Sequence, residues 1–202
     1  MASKSELLLR RKQQVVQDAI WNAAIDLFGE KGFDDVTVDD IAAAAGVSQR
    51  TFFRYFASKS DLMGQSMLAY GEVLREAIQA TPKSAHAFAA LRSAVLEIAA
   101  TVVSFPRTRD VIAIAIKYPA AREAQLSRRA EVEDSVAQAF AARLKNGRKN
   151  EMTARLLAGL TLTILDATLG QWYAGGVQDV TVVAEQVMKK LCKLVAGADA
   201  GL

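Results

Sequence analysis

The stretch from Val38 to Ala57, VDDIAAAAGVSQRTFFRYFA, constrains the fold more than any other part of this 202-residue chain. Two short helices that cross closely need a small residue where they touch, and Ala42 is placed there. The turn between them needs a residue that tolerates positive φ, which Gly46 supplies. Apolar Val47 and Phe52 then pack the second helix back onto the first. The pattern predicts a helix-turn-helix with its turn at Gly46.

Capping residues predict where the short helices begin. Thr37, with Asp40 three residues later, predicts the start of the first helix of the motif. Ser48 predicts the start of the second. Ser58, again followed by an acid three residues later at Asp61, predicts the start of a longer helix beyond the motif.

The rest of the chain is predicted to be helical as well. Upstream, a helix runs from about Arg10 to Glu30 and ends at Gly32, where a left-handed cap residue is expected. Downstream, the positions of proline and glycine predict helices over residues 84–105, 108–117, 119–146, 151–174 and 180–196, with a polar loop over 145–150. No run alternates with period two, so no strand is predicted. The fold class is therefore all-α, with an N-terminal three-helix domain over residues 1–57 and a C-terminal helical domain over 58–202.

Composition indicates a globular protein and offers no catalytic or metal-binding cluster. Hydrophobic residues make up 51% of the chain and charged residues 23%. Cys192 is the single cysteine and His86 the single histidine, and neither has a partner at motif spacing. We therefore expect no metal, no cofactor and no enzymatic activity. No uninterrupted apolar run approaches the roughly 18 residues of a membrane span, and the N-terminus lacks a secretory signal, so a cytoplasmic protein with no membrane partner is expected.

The net charge of +3 is small, but the basic residues are clustered. One basic cluster falls in the first dozen residues and consists of Lys4, Arg10, Arg11 and Lys12. The other falls in residues 48–60, which contain no acid, and consists of Arg50, Arg54 and Lys59. Two such patches are typical of a surface that follows a phosphate backbone. The alternative is two solvated faces without a partner.

The motif as a whole resembles the tetracycline-repressor-like (TetR) family of bacterial regulators. The resemblance rests on TVDDIAAAAGVS at 37–48, TFFRYF at 51–56 and SKSDL at 58–62, with Leu27, Phe28, Gly32 and Phe33 upstream. It covers roughly the first third of the chain. It implies a regulator of transcription, associated with the nucleoid, that binds a double-stranded DNA operator through the second helix of the motif. A helical acyl-compound-binding protein that does not bind DNA is the alternative.

The resemblance also implies DNA contacts residue by residue. Gln49 and Arg50 would read base edges, because Gln pairs well with adenine and Arg with guanine. Contacts to phosphates, or helix caps, would come from Thr37, Ser48 and Thr51.

Four further positions of the motif bear on the DNA backbone. Tyr55 would touch it through its hydroxyl, and Lys59, in the first turn of the next helix, would meet a phosphate. At position 53 the family often has Tyr, and Phe53 here lacks the hydroxyl that would reach the backbone. Arg54 beside it would supply a charge-assisted contact instead. The basic segment Lys4–Lys12 would follow the backbone or enter the minor groove, and the alternative is a solvated terminus.

The last two predicted helices are expected to form a homodimer interface, as they do in the family. Small residues share one face of the 151–174 helix, namely Gly159, Thr163, Ala167 and Gly170. The 180–196 helix offers Val183, Val187 and Leu191 at similar spacing. Two helices from each chain would make a four-helix bundle across a two-fold axis. The alternative is that both faces pack within one chain.

A small-molecule effector is also expected in the C-terminal domain. Candidate ligand-binding residues are aromatics and isolated acids, namely Phe88, Glu97, Phe105, Tyr118, Asp166 and Trp172. For the two acids, exposure to water or pairing within the chain is the alternative. Few charges converge, so the effector would be a small apolar or amphipathic molecule. The likeness of residues 118–143 to a subgroup of the family suggests an acyl compound. The expected mechanism is a homodimer on a pseudo-palindromic site, which the effector shifts to a state with lower DNA affinity. The resemblance to the family implies that the bound dimer represses transcription.

Overall fold

The structure is a computed structural model that describes residues 4–104, 107–144, 150–176 and 179–198. This part of the chain contains helices and turns and no strand, which confirms the all-α prediction. The helices are α1 (Lys4–Glu30), α2 (Val38–Ala44), α3 (Gln49–Tyr55), α4 (Lys59–Ala80), α5 (Ala87–Ser104), α6 (Thr108–Lys117), α7 (Pro119–Ser127), α8 (Arg129–Arg143), α9 (Glu151–Ala174) and α10 (Val180–Ala198).

Two predicted helix starts differ from the structure. Helix α1 begins at Lys4, six residues before the predicted start at Arg10. The added residues, 4–9, contain Leu, Glu and Lys, which are strong helix formers, and no Gly or Pro. Helix α5 begins at Ala87 and not at Ser84, because the preceding residues form turns after Pro82.

The single helix predicted from Pro119 to Asn146 is wrong, because the chain breaks at Arg128 into α7 and α8. The hydroxyl of Ser127 donates to the carbonyl of Ala124 at 2.7 Å. Such a bond from a side chain competes with the helical ladder at this position. The predicted loop over 145–150 lies almost wholly outside the described residues.

The chain folds into two compact units, and their division differs from the predicted boundary after residue 57. The N-terminal unit comprises Met1–Ser66 and Arg109–Ser127, and the C-terminal unit comprises Met67–Thr108 and Arg128–Leu202. The first turns of α4 belong to the N-terminal unit because Leu62 and Met63 are fully buried in its core. Helices α6 and α7 return to the same core and add apolar side chains to it, namely Val111, Ile114, Ala115, Ala121 and Ala124.

The N-terminal core holds α3 in place. Its largest fully buried side chains are Ile20, Ile25, Phe28, Phe33, Ile41, Phe52, Leu62 and Met63. Burial of one such side chain contributes about 1.5–3 kcal/mol. Phe52 is the buried anchor of α3, and its ring lies 5.8 Å from that of Phe56. The orientation of α3 is therefore fixed by its apolar side.

Gly32 and Gly46 both take the positive φ expected of them, but in different surroundings. At Gly32 (φ 101°) an added Cβ would lie 2.8 Å from the hydroxyl oxygen of Tyr118, whereas at Gly46 (φ 67°) it would meet nothing within 4 Å.

Gly32→Ala should lower the free energy of unfolding by about 2–3 kcal/mol, from backbone strain and displacement of the tyrosine. Gly46→Ala, its matched control, should cost about 1–2 kcal/mol. Chemical denaturation of both variants checks this, and equal losses would contradict the close contact.

The C-terminal unit is built around α9, which packs against α5, α8 and α10. One face of α9 is buried, with Ala154, Ala158, Leu162 and Leu165 each at most 2% exposed. In this unit the Arg143 guanidinium ties α8 to the end of α4. It donates to the carbonyls of Ile78 at 3.0 Å and Pro82 at 2.7 Å, and also to that of Thr81.

Helix α9 is also long and apolar enough to cross a membrane by length and composition alone. The core helix of a globular protein meets the same two criteria. Here, 39% of its most apolar window is buried against the rest of the chain. Part of the apolar surface of α9 therefore belongs to the core of the C-terminal unit.

Candidate DNA-binding site

Helix α3 presents one face to solvent and buries the other. Phe52 is fully buried and Phe56 is 3% exposed, which leaves the opposite face of the seven-residue helix open. The exposed side chains on that face are Gln49, Arg50, Phe53 and Arg54. These positions are related by spacings of three and four, so they lie together on one side of the helix. All of them belong to the predicted DNA-binding set.

Both predicted caps of the motif are confirmed. Thr37 and Asp40 form a reciprocal capping box, in which the Asp40 backbone N–H donates to Thr37 Oγ1 at 3.1 Å and the Thr37 N–H donates to Asp40 Oδ2 at 2.9 Å. The Ser48 hydroxyl accepts from the Thr51 N–H at 3.1 Å and lies 2.9 Å from Thr51 Oγ1. The three hydroxyls are therefore engaged within the motif, and phosphate contacts from them stay a prediction.

The capping box also sets the charge of Asp40. The Thr37 hydroxyl and backbone N–H donate to this carboxylate and hold its pKa below the usual value for aspartate. Because the folded-state pKa is lowered, the contribution of the box to stability is present above the unfolded pKa. That contribution is lost as the pH falls through the folded-state pKa.

Gln49 is held by a carboxylate from the first helix of the motif. Its Nε2 donates to Asp39 Oδ1 at 2.5 Å across ten residues of sequence. An amide group has two N–H donors and one carbonyl acceptor. With one donor held by Asp39, the second donor and Oε1 remain available, and these are the atoms that a bidentate pair with adenine requires. Asp39 is thus a positioning residue that sequence reasoning missed, because the pair joins two helices.

Removal of this carboxylate should reduce base discrimination. We expect Asp39→Ala to reduce the preference for adenine over other bases at the Gln49 position roughly fivefold, because a freely rotating amide loses about 1 kcal/mol of its orientation-dependent readout. Asp39→Asn is the matched control, since its amide oxygen still accepts from Gln49. Competition binding with operators that differ at one base pair measures the ratio. The same ratio in Asp39→Ala as in the natural protein would contradict the positioning role.

Arg54 and Tyr55 contact each other at the end of α3. The Arg54 guanidinium carbon lies 4.9 Å from the centre of the Tyr55 ring, and Nη2 donates to the Tyr55 hydroxyl at 3.4 Å. Tyr55 is half-buried against the core, whereas Arg54 is exposed. This places a cation and a phenol together at the end of the exposed face, in reach of the same partner.

Lys59 does not present its ammonium group as a free phosphate ligand, so the role implied by the resemblance is corrected. Its Nζ donates to the carbonyls of Phe33 at 2.8 Å, Asp34 at 3.0 Å and Val36 at 3.0 Å. It also lies 4.9 Å from the centre of the Phe33 ring. An ammonium group has three donors, and all three are used. Lys59 instead fastens the segment between α1 and α2 to the start of α4.

The N-terminal basic cluster is only partly described. Arg11 and Lys12 lie on α1 with exposed side chains. The side chains of Lys4 and Arg10 lie outside the described residues. A role of this segment along the DNA backbone stays a prediction.

The predicted ligand residues are not brought together as one set. Glu97 is exposed to solvent and Asp166 pairs with Arg129. Each acid therefore follows the alternative given for it, exposure to water for Glu97 and pairing within the chain for Asp166. Tyr118 belongs to the N-terminal unit, where it packs against Gly32, which corrects its assignment to a cavity in the C-terminal domain. Phe88 is half-buried and Trp172 is 7% exposed in the C-terminal unit, while Phe105 lies outside the described residues.

Most of the predicted dimer residues are at least partly exposed in this chain. On α9, Thr163, Ala167 and Gly170 are exposed and Gly159 is partly exposed. On α10, Val187 and Leu191 are partly exposed. Val183 is fully buried within its own chain, so its prediction as an interface residue is wrong.

Sequence reasoning missed an apolar stripe beside the small residues of α9. Met152, Leu156 and Leu160 are 70%, 59% and 38% exposed. They line an open groove of about 710 Å³ between α8 and α9, together with Glu133, Glu151, Arg155, Gly159 and Thr163. Their spacing of four residues was a signal that the sequence offered.

In the part of the chain that the structure describes, no three His, Cys, Asp or Glu side chains are grouped as metal ligands.

Comparison with known proteins places the motif in a sequence family. Residues 20–65 match the model of "Bacterial regulatory proteins, tetR family". A segment of 50 residues is 52% identical to the putative mycofactocin biosynthesis transcriptional regulator MftR of Mycobacterium tuberculosis, and covers 25% of each chain. A segment of 87 residues is 33% identical to the HTH-type transcriptional regulator TcmR of Streptomyces glaucescens, and covers 43% of this chain and 38% of TcmR. The matches thus span between a quarter and two fifths of these curated relatives.

Solved structures extend the likeness in fold to nearly the whole chain. NalD of Pseudomonas aeruginosa, the secondary repressor of the MexAB-OprM multidrug efflux pump, matches with a TM-score of 0.59 and 23% identity over 90% of this chain and 96% of NalD. The transcriptional regulator FadR of Bacillus subtilis, in complex with stearoyl-CoA, matches with a TM-score of 0.58 and 19% identity over 85% of this chain and 95% of FadR. At this level of identity the likeness concerns the fold alone.

Proposed function

Because the chain belongs to the tetR family of bacterial regulatory proteins, we propose that it is a transcriptional repressor that binds a pseudo-palindromic operator as a homodimer. The exposed face of α3 carries this proposal. This face presents the oriented amide of Gln49 and the guanidinium groups of Arg50 and Arg54 to solvent, on a helix whose other face is buried. Members of this family are regulators of transcription, and we propose no enzymatic activity.

The N-terminal end of α3 suits the major groove. Recognition helices of helix-turn-helix proteins place their first residues on the base edges. Gln49 and Arg50 are the first two residues of α3. A second copy would place another α3 about one helical turn of DNA away, roughly 34–36 Å, which requires two related half-sites.

A second copy of the chain would pack on the exposed face of α9. This face combines the small residues Thr163, Ala167 and Gly170 with the apolar stripe of Met152, Leu156 and Leu160. Exposed apolar stripes of this kind mark interfaces, and small residues let two helix backbones approach closely. The exposed sides of Val187 and Leu191 on α10 would contribute from the neighbouring helix.

Gly170→Leu tests this interface selectively. Within the chain, Gly170 is exposed and a Cβ there would meet nothing within 4 Å, so the added side chain begins in open space, and the substitution raises helix propensity. In a close helix pair the added side chain would separate the backbones, and we expect the dimer dissociation constant to rise at least tenfold. Sedimentation equilibrium measures this. Gly29→Leu in α1, where a Cβ also meets nothing within 4 Å, is the control. A dimer unaffected by Gly170→Leu would place the interface elsewhere.

The effector of this repressor would be a small apolar or acyl-type molecule bound in the C-terminal unit. Stearoyl-CoA accompanies FadR and triclosan accompanies SmeT among the proteins of similar fold. In this chain, Phe88 and Trp172 are the aromatic candidates of the C-terminal unit. Binding would favour a dimer state in which the two α3 helices no longer fit adjacent grooves, so that effector and DNA oppose each other.

Sequencing of the DNA that co-purifies with the protein from the bacterium that encodes it tests the proposed function. We expect a few enriched intergenic sites, whose neighbouring genes are transcribed more strongly when the gene for this protein is deleted. Such a protein would be cytoplasmic and associated with the nucleoid. No enriched site, together with tight binding of an acyl compound, would favour the helical acyl-binding protein without DNA binding.

A further inference from the structure

We propose that Phe53 is a specificity-determining residue that reads the C5 methyl group of a thymine in the major groove. The inference rests on the proposed function, since it requires α3 to enter DNA. It gives this aromatic side chain a role in base readout in place of a backbone contact.

The exposure of Phe53 is the first observation. It is 51% exposed on the same face as Gln49 and Arg50, and it is the only apolar side chain of that four-residue face. A phenyl ring has no donor or acceptor and gains nothing by hydrogen bonding to phosphate. An exposed aromatic among polar side chains is therefore suited to an apolar partner.

The ring is also held in position before any partner arrives. Phe53 packs edge to face on Phe52, with ring centroids 5.4 Å apart and an interplanar angle of 86°. Phe52 is fully buried and packs in turn on Phe56. Aromatic pairs with this geometry contribute attraction beyond the area they bury. The exposed edge of Phe53 is thus fixed to the core through Phe52.

The position of Phe53 along α3 fits a base contact. It lies four residues after Gln49, which corresponds to about 6 Å along the helix axis. Base pairs rise about 3.4 Å per step, so the ring would reach within about two base pairs of the one that Gln49 reads. In the major groove, the apolar group that base pairs present is the thymine methyl. Phe53 therefore contacts the thymine methyl group of an A·T pair near the base pair that Gln49 reads.

Replacement of single thymines by deoxyuridine provides the test, because it removes the methyl group and keeps every hydrogen-bonding atom. With an operator obtained by selection, each thymine of a half-site is replaced in turn, symmetrically in both half-sites. For the natural protein, we expect one position per half-site at which affinity falls about fourfold for each lost contact, the factor that corresponds to one buried methyl-sized group.

Variants at position 53 separate this contact from others. Phe53→Ala should bind the natural operator more weakly and lose the sensitivity to deoxyuridine at that position, whereas Phe53→Tyr, which keeps the ring, should retain it. Arg54→Ala should also retain it and controls for general loss of affinity. If no thymine is sensitive, or if Phe53→Ala is as sensitive as the natural protein, the proposal is overturned. Failure of the proposed function is distinguishable, because the natural protein would then show no sequence-specific binding to any duplex.

Discussion

Replacement of Arg50 by alanine is expected to weaken operator binding by a factor of about 30 to 2 × 10⁴. Arg50 is exposed in the second position of α3, and no hydrogen bond or ion pair joins it to another described residue. A bidentate contact of a guanidinium with guanine contributes about 1–3 kcal/mol of discrimination. A homodimer makes the contact twice, so about 2–6 kcal/mol is lost in the variant.

Fluorescence anisotropy with a labelled operator measures this loss. Arg92→Ala is the matched control, because Arg92 is also an exposed arginine and its ion pair with Glu185 lies in the C-terminal unit. Its operator affinity should stay within about twofold of the natural protein, since exposed ion pairs contribute at most about 1 kcal/mol to stability. Equal operator affinities of Arg50→Ala and Arg92→Ala would contradict a contact between α3 and the operator DNA.

Lys59→Ala should lower the free energy of unfolding by about 3–5 kcal/mol. The substitution removes three charge-assisted hydrogen bonds, and two of the three carbonyl acceptors, those of Phe33 and Val36, are in part-buried bonds. Each part-buried acceptor left without a donor costs about 1–3 kcal/mol, and loss of the contact with the Phe33 ring adds about 0.5–1 kcal/mol.

Urea denaturation measures the stability of this variant, with Lys83→Ala as the control at an exposed lysine. Salt dependence gives an independent readout at a temperature where the variant is folded. A lysine that contacts a phosphate in each subunit contributes about one to the slope of log K against log salt, so the dimer would lose about two. We expect no such loss. Unchanged stability with a reduced slope would instead restore the phosphate contact that the resemblance implied.

The motif could be predicted from the sequence because its determinants are local. The cap at Ser48, the capping box of Thr37 and Asp40, and the turn at Gly46 each depend on residues within three or four positions. Local interactions of this kind are encoded in short sequence windows. The exposed and buried sides of α3 followed from its periodicity for the same reason.

The parts that could not be predicted depend on contacts distant in sequence. The segment around Phe33 lies 23 to 26 residues from Lys59. No local sequence pattern indicates that its carbonyls accept the hydrogen bonds of the Lys59 ammonium group. The break at Arg128 occurs where the chain leaves the N-terminal unit for the C-terminal unit, although the residues around it favour helix. Helix propensity is a weak guide where tertiary packing decides.

Periodicity alone also left the C-terminal unit ambiguous. Val183 and Val187 share a face by spacing, yet Val183 is fully buried in its own chain while Val187 is partly exposed. Both α9 and α10 are apolar on more than one side, so the side that faces the chain's own core becomes known only from packing. Leu156 and Leu160 of α9 are the residues that packing shows to be exposed.

Selection of bound sequences from a random duplex library, by the natural protein and by Arg50→Ala side by side, tests the central claim most directly. We predict that the natural protein enriches a pseudo-palindrome with half-sites about one helical turn apart, and that Arg50→Ala no longer enriches the base pair that Arg50 reads. Enrichment of the same sequence with the same preferences by both proteins, or of none by the natural protein, would contradict recognition of DNA through the exposed face of α3.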